Sequence, residues 1–288
     1  MGVWHRLRRG IQGNKGRASR GEASIDTIHH QASPLEIGQG SDIGRIRQAN
    51  EDAFFTLNSV IGIDPDPLHV GLLVVADGMG GGAKGKEASS VAIQVANGIV
   101  MREVLLPLLA SQGADTIGRP IQEILTEAIA AANEAVSRID EDAGTTLTSV
   151  LVVDHSAHVA HVGDSRVYYL DNGEMRQITQ DHSLVSRLVE LGQISAQEAL
   201  EHPQRNFLYR AVGQGPELKV DTYFQRLAEG SHLILCSDGL WNQVTEKEIV
   251  EVIGNSSSPQ EACDRLIDRA NEQGGEDNMT LLLAKVNY

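Results

Sequence analysis

The chain has 288 residues, 41% of them hydrophobic, and 39 acidic against 24 basic side chains give it a net charge of −15. That length and apolar fraction suffice for a sizeable core in one large domain or two small ones. Residues 1–35 carry six Lys or Arg and two acids, so residues 36–288 hold −19, an acidic body that argues against nucleic acid or an anionic membrane as the main partner.

From the N-terminus, residues 1–35 are rich in Gly, Ser, Arg, Gln and His without hydrophobic periodicity, which predicts a disordered basic tail. No apolar run follows Arg6, Arg8 and Arg9, as a secretory signal requires. The chain opens Met-Gly, yet Arg6 stands where a myristoylation signal has Ser or Thr. From residue 36 the pattern becomes regular. The apolar stretch VGLLVVA at 70–76 is far short of the roughly 20 residues of a membrane span. A long helix is predicted over about 86–105. A second covers 120–139, where Ile121, Ile124, Leu125, Ala128, Ile129, Ala132, Val136 and Ile139 recur at helical spacing behind Pro120 at the first helical position.

Strands follow at 146–153, 158–162 and 166–170, with a tight hairpin at Asp171-Asn172-Gly173. Short helices are expected near 183–191 and 195–201, the second opened by Ser195 and Glu198 in capping-box spacing. Strands near 218–224 and 232–237 come next. Helices then open at Thr245 and Ser258, and a last strand runs over 279–286. Consecutive strands interrupted by paired long helices favour antiparallel sheets covered by helices. Cys236 and Cys263 fall in an apolar strand and a helix, which suits two buried free thiols in a reducing, cytoplasmic setting.

Several apolar strands end in acid. Asp77-Gly78 closes VVADG, Asp238-Gly239 closes LILCSDG, and Asp164 follows HVG; Glu51 and Asp52 lie in RQANEDAF, and Asp277 precedes the last strand. Singly, Asp-Gly is good turn chemistry. If the strands bring these acids to one edge, clustered carboxylates raise one another's pKa or demand cations. The donors are all oxygens, so Mg²⁺ or Mn²⁺ suits them better than zinc. Gly78 also lets its carbonyl approach a metal closely.

These motifs resemble the type 2C family of metal-dependent Ser/Thr protein phosphatases (the PPM family) in its compact bacterial form. The resemblance runs from about Ser41 to Val286 through SDIGRIRQANEDAF, VVADGMGGGAKGKEAS, GTTLTSVLV, HVGDSRVYYL, ITQDHSLV, LCSDGLW and GGEDNMT. It implies an α+β fold, a four-layer α/β/β/α sandwich with two central antiparallel sheets, over residues 36–288, with a small helical flap at about 183–213 beside the active site. It further implies that Asp77 bridges two metals, that the Gly78 carbonyl binds one of them, and that Asp238 and Asp277 complete the first. Glu51 and Asp52 match acids that hold the second metal directly or through its waters. Asp164 matches a residue that helps bind a weaker third metal. Arg47, five residues before Asp52, stands where the family keeps a phosphate-binding arginine, with Arg45 as its neighbour.

The resemblance implies hydrolysis of phosphoserine and phosphothreonine in proteins by a hydroxide held between the two metals, with no phosphoenzyme. The substrates would be targets of Ser/Thr kinases and the enzyme a monomer. Gly82 stands where bacterial relatives often carry a histidine, a candidate general acid. That departure keeps open a catalytically weak or inactive phosphoprotein-binding module of the same fold. A metal-stabilised structural domain is a third reading. His161 and His182, inside matching motifs, are expected to be structural.

Overall fold

The computed structural model describes residues 34–62, 67–111 and 117–287, so the expected tail up to residue 33 lies outside the described residues. Leu35 is already part of the fold: it opens the first strand and is buried.

Two five-stranded antiparallel sheets stack face to face. The first runs β1 (Leu35–Asp42), β12 (Met279–Val286), β11 (His232–Cys236), β8 (Arg166–Asp171), β9 (Glu174–Gln177). The second runs β10 (Asp221–Arg226), β7 (Ser156–Val162), β6 (Leu147–Val153), β3 (Leu68–Ala76), β2 (Ala53–Ile61). Two-residue strands β4 (Gly78–Met79) and β5 (Gly144–Thr145) pair at the edge of the stack.

The four layers follow from side-chain alternation. In β3, Leu73 and Val75 point between the sheets with Val150, Val167, Leu235 and Leu282, whereas Leu72 and Val74 point outward. Helices α1 (Ala83–Val100) and α3 (Ile121–Val136) cover that outward face. On the first sheet, Ile234, Cys236, Leu281 and Leu283 meet α7 (Glu246–Gly254) and α8 (Pro259–Glu272). The chain is therefore an α+β sandwich of the α/β/β/α kind.

Local signals behave as expected in most places. Asn172 (φ 50°) and Gly173 (φ 80°) form the two-residue loop that pairs Asp171 with Glu174. Thr245 with Glu248 and Ser195 with Glu198 make complete capping boxes. Pro120 is the residue before α3 rather than its first helical residue, and its carbonyl accepts from the Glu123 and Ile124 amides. The first long helix starts at Ala83, loosens into a π-helical turn at Met101–Leu105 and continues as α2 (Leu106–Ser111).

Over Ala83–Ala110 that helix is long and apolar enough to cross a membrane, which counting uninterrupted apolar runs does not reveal. Ala88, Ala92, Ala96, Val100, Val104 and Leu108 are buried in the core, so this face is already occupied by α3 and the second sheet. Strands β1 and β2 escape the sequence reading. In β1, Gly38 has a packing role: a Cβ there would stand 2.3 Å from the Pro259 carbonyl carbon at the start of α8.

Candidate active site

Antiparallel pairing sets where the acids meet. Cys236 at the end of β11 pairs with Leu281 near the start of β12, so Asp238 and Asp277 emerge at the same edge. Asp77 follows β3 and Asp164 follows β7, at the corresponding edge of the other sheet. Asp77, Asp164, Asp238 and Asp277 line one pocket of about 260 Å³ together with Glu51, Gly78 and Arg47. Asp238 opens the one-turn helix α6 (Asp238–Trp241).

Each acid is held by the fold. The Asp77 amide donates to Thr146 Oγ1 (2.9 Å), and its carbonyl accepts from the Thr146 amide and from Thr145 Oγ1. Asp277 Oδ1 accepts from the Asn278 amide, while Oδ2 accepts from Arg47 at 2.6 Å. Asn278 Oδ1 receives the Glu51 amide, and its Nδ2 donates to the carbonyls of Ile43 and Ala49, tying the Arg47 loop to the start of β12. The Asp164 carbonyl accepts from Trp241 Nε1 (3.1 Å). Thr145, Thr146, Asn278 and Trp241 sit inside the recognised motifs, but only the fold gives them these tasks.

Two acids are placed less simply. Glu51 lines the pocket, yet its Oε1 accepts from the Gly82 amide at the entry of α1 (2.7 Å). A Cβ on Gly85 would stand 1.9 Å from Glu51 Oε2, so this approach requires glycine. Asp52 is not brought to the pocket surface. Its Oδ2 accepts from Ser237 Oγ (2.7 Å), while its buried Oδ1 has no hydrogen-bond partner.

Burial, above all, pushes the Asp238 carboxyl up to about 7 and that of Asp52 up to about 6, with repulsion from Asp277 adding to both. Burial and then the neighbouring aspartates push Asp77 well above the carboxylate range. Asp164 is likewise raised, by burial and then by Asp238. The hydrogen bond to Asp277 raises Arg47 further, and this arginine faces the pocket; Arg45 instead lies against Gly275.

Among the described residues, no three His, Cys, Asp or Glu side chains already stand in a metal-holding arrangement. The reason is visible in the contacts: Asp277, Asp52 and Glu51 are each turned toward a protein donor. The donor set nevertheless fits hard divalent cations, because only oxygens converge, they repel one another, and a buried carboxylate oxygen is left orphaned.

The histidines belong elsewhere. His161 bonds Thr148 Oγ1 and the Gln180 carbonyl, and burial lowers it to about 3. His182 accepts the Gly163 amide at Nδ1 and bonds Asp221 through Nε2. Neither lines the pocket. The flap does reach it: Asn206 and Leu208 form part of the wall.

A four-layer sandwich with carboxylates clustered at one end of its sheets is the arrangement of a protein that holds hard divalent cations. A family model described as Protein phosphatase 2C matches residues 48–284. The Serine/threonine phosphatase stp of Listeria innocua is 38% identical over 248 residues, 86% of this chain and 94% of that one. The crystal structure of the Mycobacterium tuberculosis serine/threonine phosphatase PstP/Ppp is similar with a TM-score of 0.74 and 32% identity, covering 88% of this chain and 99% of that one. The catalytic domain of PstP in complex with two manganese ions gives a TM-score of 0.71 at 31% identity, over 88% of this chain and 99% of that one. The chain belongs to the protein phosphatase 2C family. It is a metal-dependent protein-serine/threonine phosphatase of the bacterial type, which favours the enzyme over the inactive binding module.

Proposed function

We propose that Asp77, Asp238 and Asp277 hold one Mg²⁺ or Mn²⁺, and that Asp77 and the Gly78 carbonyl hold a second with Glu51 and, through bound water because it stands behind the pocket wall, Asp52. Asp164 would assist a weaker third. The observation that carries this reading is the meeting of Asp77, Asp238 and Asp277, distant in sequence, around one pocket. When bound, the ions supply Lewis acidity, lowering the pKa of water and offsetting charge on the phosphoryl oxygens.

The chain's own groups do the rest. Arg47 presents a planar fork that engages two phosphoryl oxygens and orients phosphorus for in-line attack. Thr145 and Thr146 fix the Asp77 backbone, and Asn278 fixes the loop that carries Arg47 and Glu51. In the overall reaction water forms a new P–O bond, the bond to the Ser or Thr oxygen breaks, and that oxygen leaves with a proton. Gly82 offers no side chain and both motif histidines are engaged elsewhere, so we assign this proton to water.

The substrates in this reading are phosphoproteins made by Ser/Thr kinases, and the enzyme works as a monomer in the cytoplasm. Two free buried cysteines and the net charge of −15 support a reducing compartment and disfavour nucleic acid and membrane as partners. Hydrolysis of p-nitrophenyl phosphate with Mn²⁺ tests the site. It is expected to vanish on chelation and in Asp238→Ala, and turnover that survives both changes would refute the assignment.

A further inference from the structure

Beside the carboxylate pocket, and sharing Asp164, Asn206 and Asp238 with it, lies a second cleft of about 350 Å³. Its character is different. One wall is Val185 and Val189 of α4 (Leu184–Glu190) and Ala196 and Leu200 of α5 (Ala196–Leu200); the facing wall is the Trp241 ring. That ring is fixed on two sides. Its Nε1 donates to the Asp164 carbonyl at 3.1 Å, and the Arg166 guanidinium lies 3.6 Å from its centroid.

The flap wall is also built in advance. Ser183 caps α4, and Ser195 with Glu198 caps α5. The base of the flap is closed by the Leu184 amide on the Phe207 carbonyl and the Tyr209 amide on the His182 carbonyl. Leu200 nevertheless remains 60% exposed, although it faces this cleft. Of the cleft's charged groups, Arg166 is engaged bidentately by Asp181 and Arg205 lies 3.9 Å from Glu276, so the unanswered charge is that of Asp164 and Asp238 at the end shared with the carboxylate pocket, and the flap end is apolar.

The geometry points to a substrate subsite: the cleft takes one apolar side chain of the phosphoprotein, a few residues from the phosphoserine or phosphothreonine whose phosphoryl group occupies the carboxylate pocket. This rests on the assignment of that pocket to the phosphoryl group. The occupant follows from continuity, since a chain whose phosphoryl group lies in the carboxylate pocket reaches the cleft past Asp164, Asn206 and Asp238, which line both cavities.

The test uses wild-type protein with Mn²⁺ and phosphothreonine peptides on an alanine background, with a single Leu moved through the positions flanking the phosphoresidue. p-Nitrophenyl phosphate is assayed in parallel. At one register kcat/KM is expected to rise about 10-fold or more, mainly through KM, the scale on which an apolar pocket discriminates one side chain. Leu200→Glu and Val189→Ala should each cut that preference to about twofold or less while leaving p-nitrophenyl phosphate turnover unchanged, because that substrate has no side chain to reach the cleft. No preference at any register, or one unaltered in both variants, overturns the subsite while the small substrate shows the phosphatase intact. Failure of wild-type protein to turn over p-nitrophenyl phosphate overturns the pocket assignment and the subsite with it.

Discussion

Arg166 and Asp181 border the same cleft as Asp164 and Asp238, yet the two pairs are balanced in opposite ways. Arg166 gives Asp181 a bidentate bond at 2.7–3.1 Å, donates to the Tyr168 hydroxyl and stacks on Trp241, so a buried charge is answered inside the protein. Next to it, Asp52, Asp77, Asp164 and Asp238 are desolvated and repel one another, and the one guanidinium in the pocket, Arg47, is bonded to Asp277. The first cluster holds the fold together. The second leaves its charge to be answered from outside, as a cation-binding enzyme requires.

The sharpest way to break this comparison is to remove one acid from each cluster. Asp181→Ala strands the Arg166 charge and should cost about 3–5 kcal/mol in urea denaturation. Asp238→Asn in metal-free protein should be neutral or stabilising, since it removes repulsion; an equal loss in both variants would erase the distinction. Next in size, Arg47→Ala should lower kcat/KM by about 10²–10³, as loss of a donor to a transition-state oxyanion does. Arg45→Ala, directed at Gly275, should leave steady-state kinetics nearly unchanged.

Proton linkage sharpens the same contrast. Asp52 and Asp238 keep their protons up to about 6 and about 7 in the folded protein, against an ordinary value of 3.8. From about 4 upward the native state binds more protons than the unfolded chain, so metal-free stability should fall as pH rises from about 4 through about 7, with Asp77 and Asp164, raised by the same burial, adding to the decline. Mn²⁺ at 100 times its Kd should add about 2.7 kcal/mol, with affinity weakening toward acid pH as protons compete. Thermal melts across pH, with and without metal, measure both. A small effect belongs to Gly82→Ala: φ is 61° but the Cβ would meet open space, so only backbone strain of about 1–3 kcal/mol is expected.

Much of this site was legible in the chain. Asp77, Asp164, Asp238 and Asp277 each follow or precede an apolar run, and strand ends are where a sheet presents side chains to one edge. Hidden were the residues whose roles depend on partners far away: Asn278 on the Glu51 amide, Ser237 on Asp52, Trp241 on Asp164. Strand β1 was hidden for a related reason. LEIGQGSD has two glycines and weak β pattern, and it is a strand because β12 pairs with it and α8 packs on it.

Local and periodic features follow from the chain alone: the amphipathic helices, the Asn-Gly hairpin, the capping boxes, the choice of Arg47 over Arg45, and an ordered set of acids chemically suited to hard cations. The folded arrangement alone puts Asp52 behind the pocket wall and turns Glu51 to the entry of α1. The division has a physical cause. Backbone propensity and side-chain period act over a few residues, whereas burial, repulsion and hydrogen-bond partnership come from groups far apart in the chain, 230 positions in the case of Arg47 and Asp277, and exist only once the sheets have closed on each other.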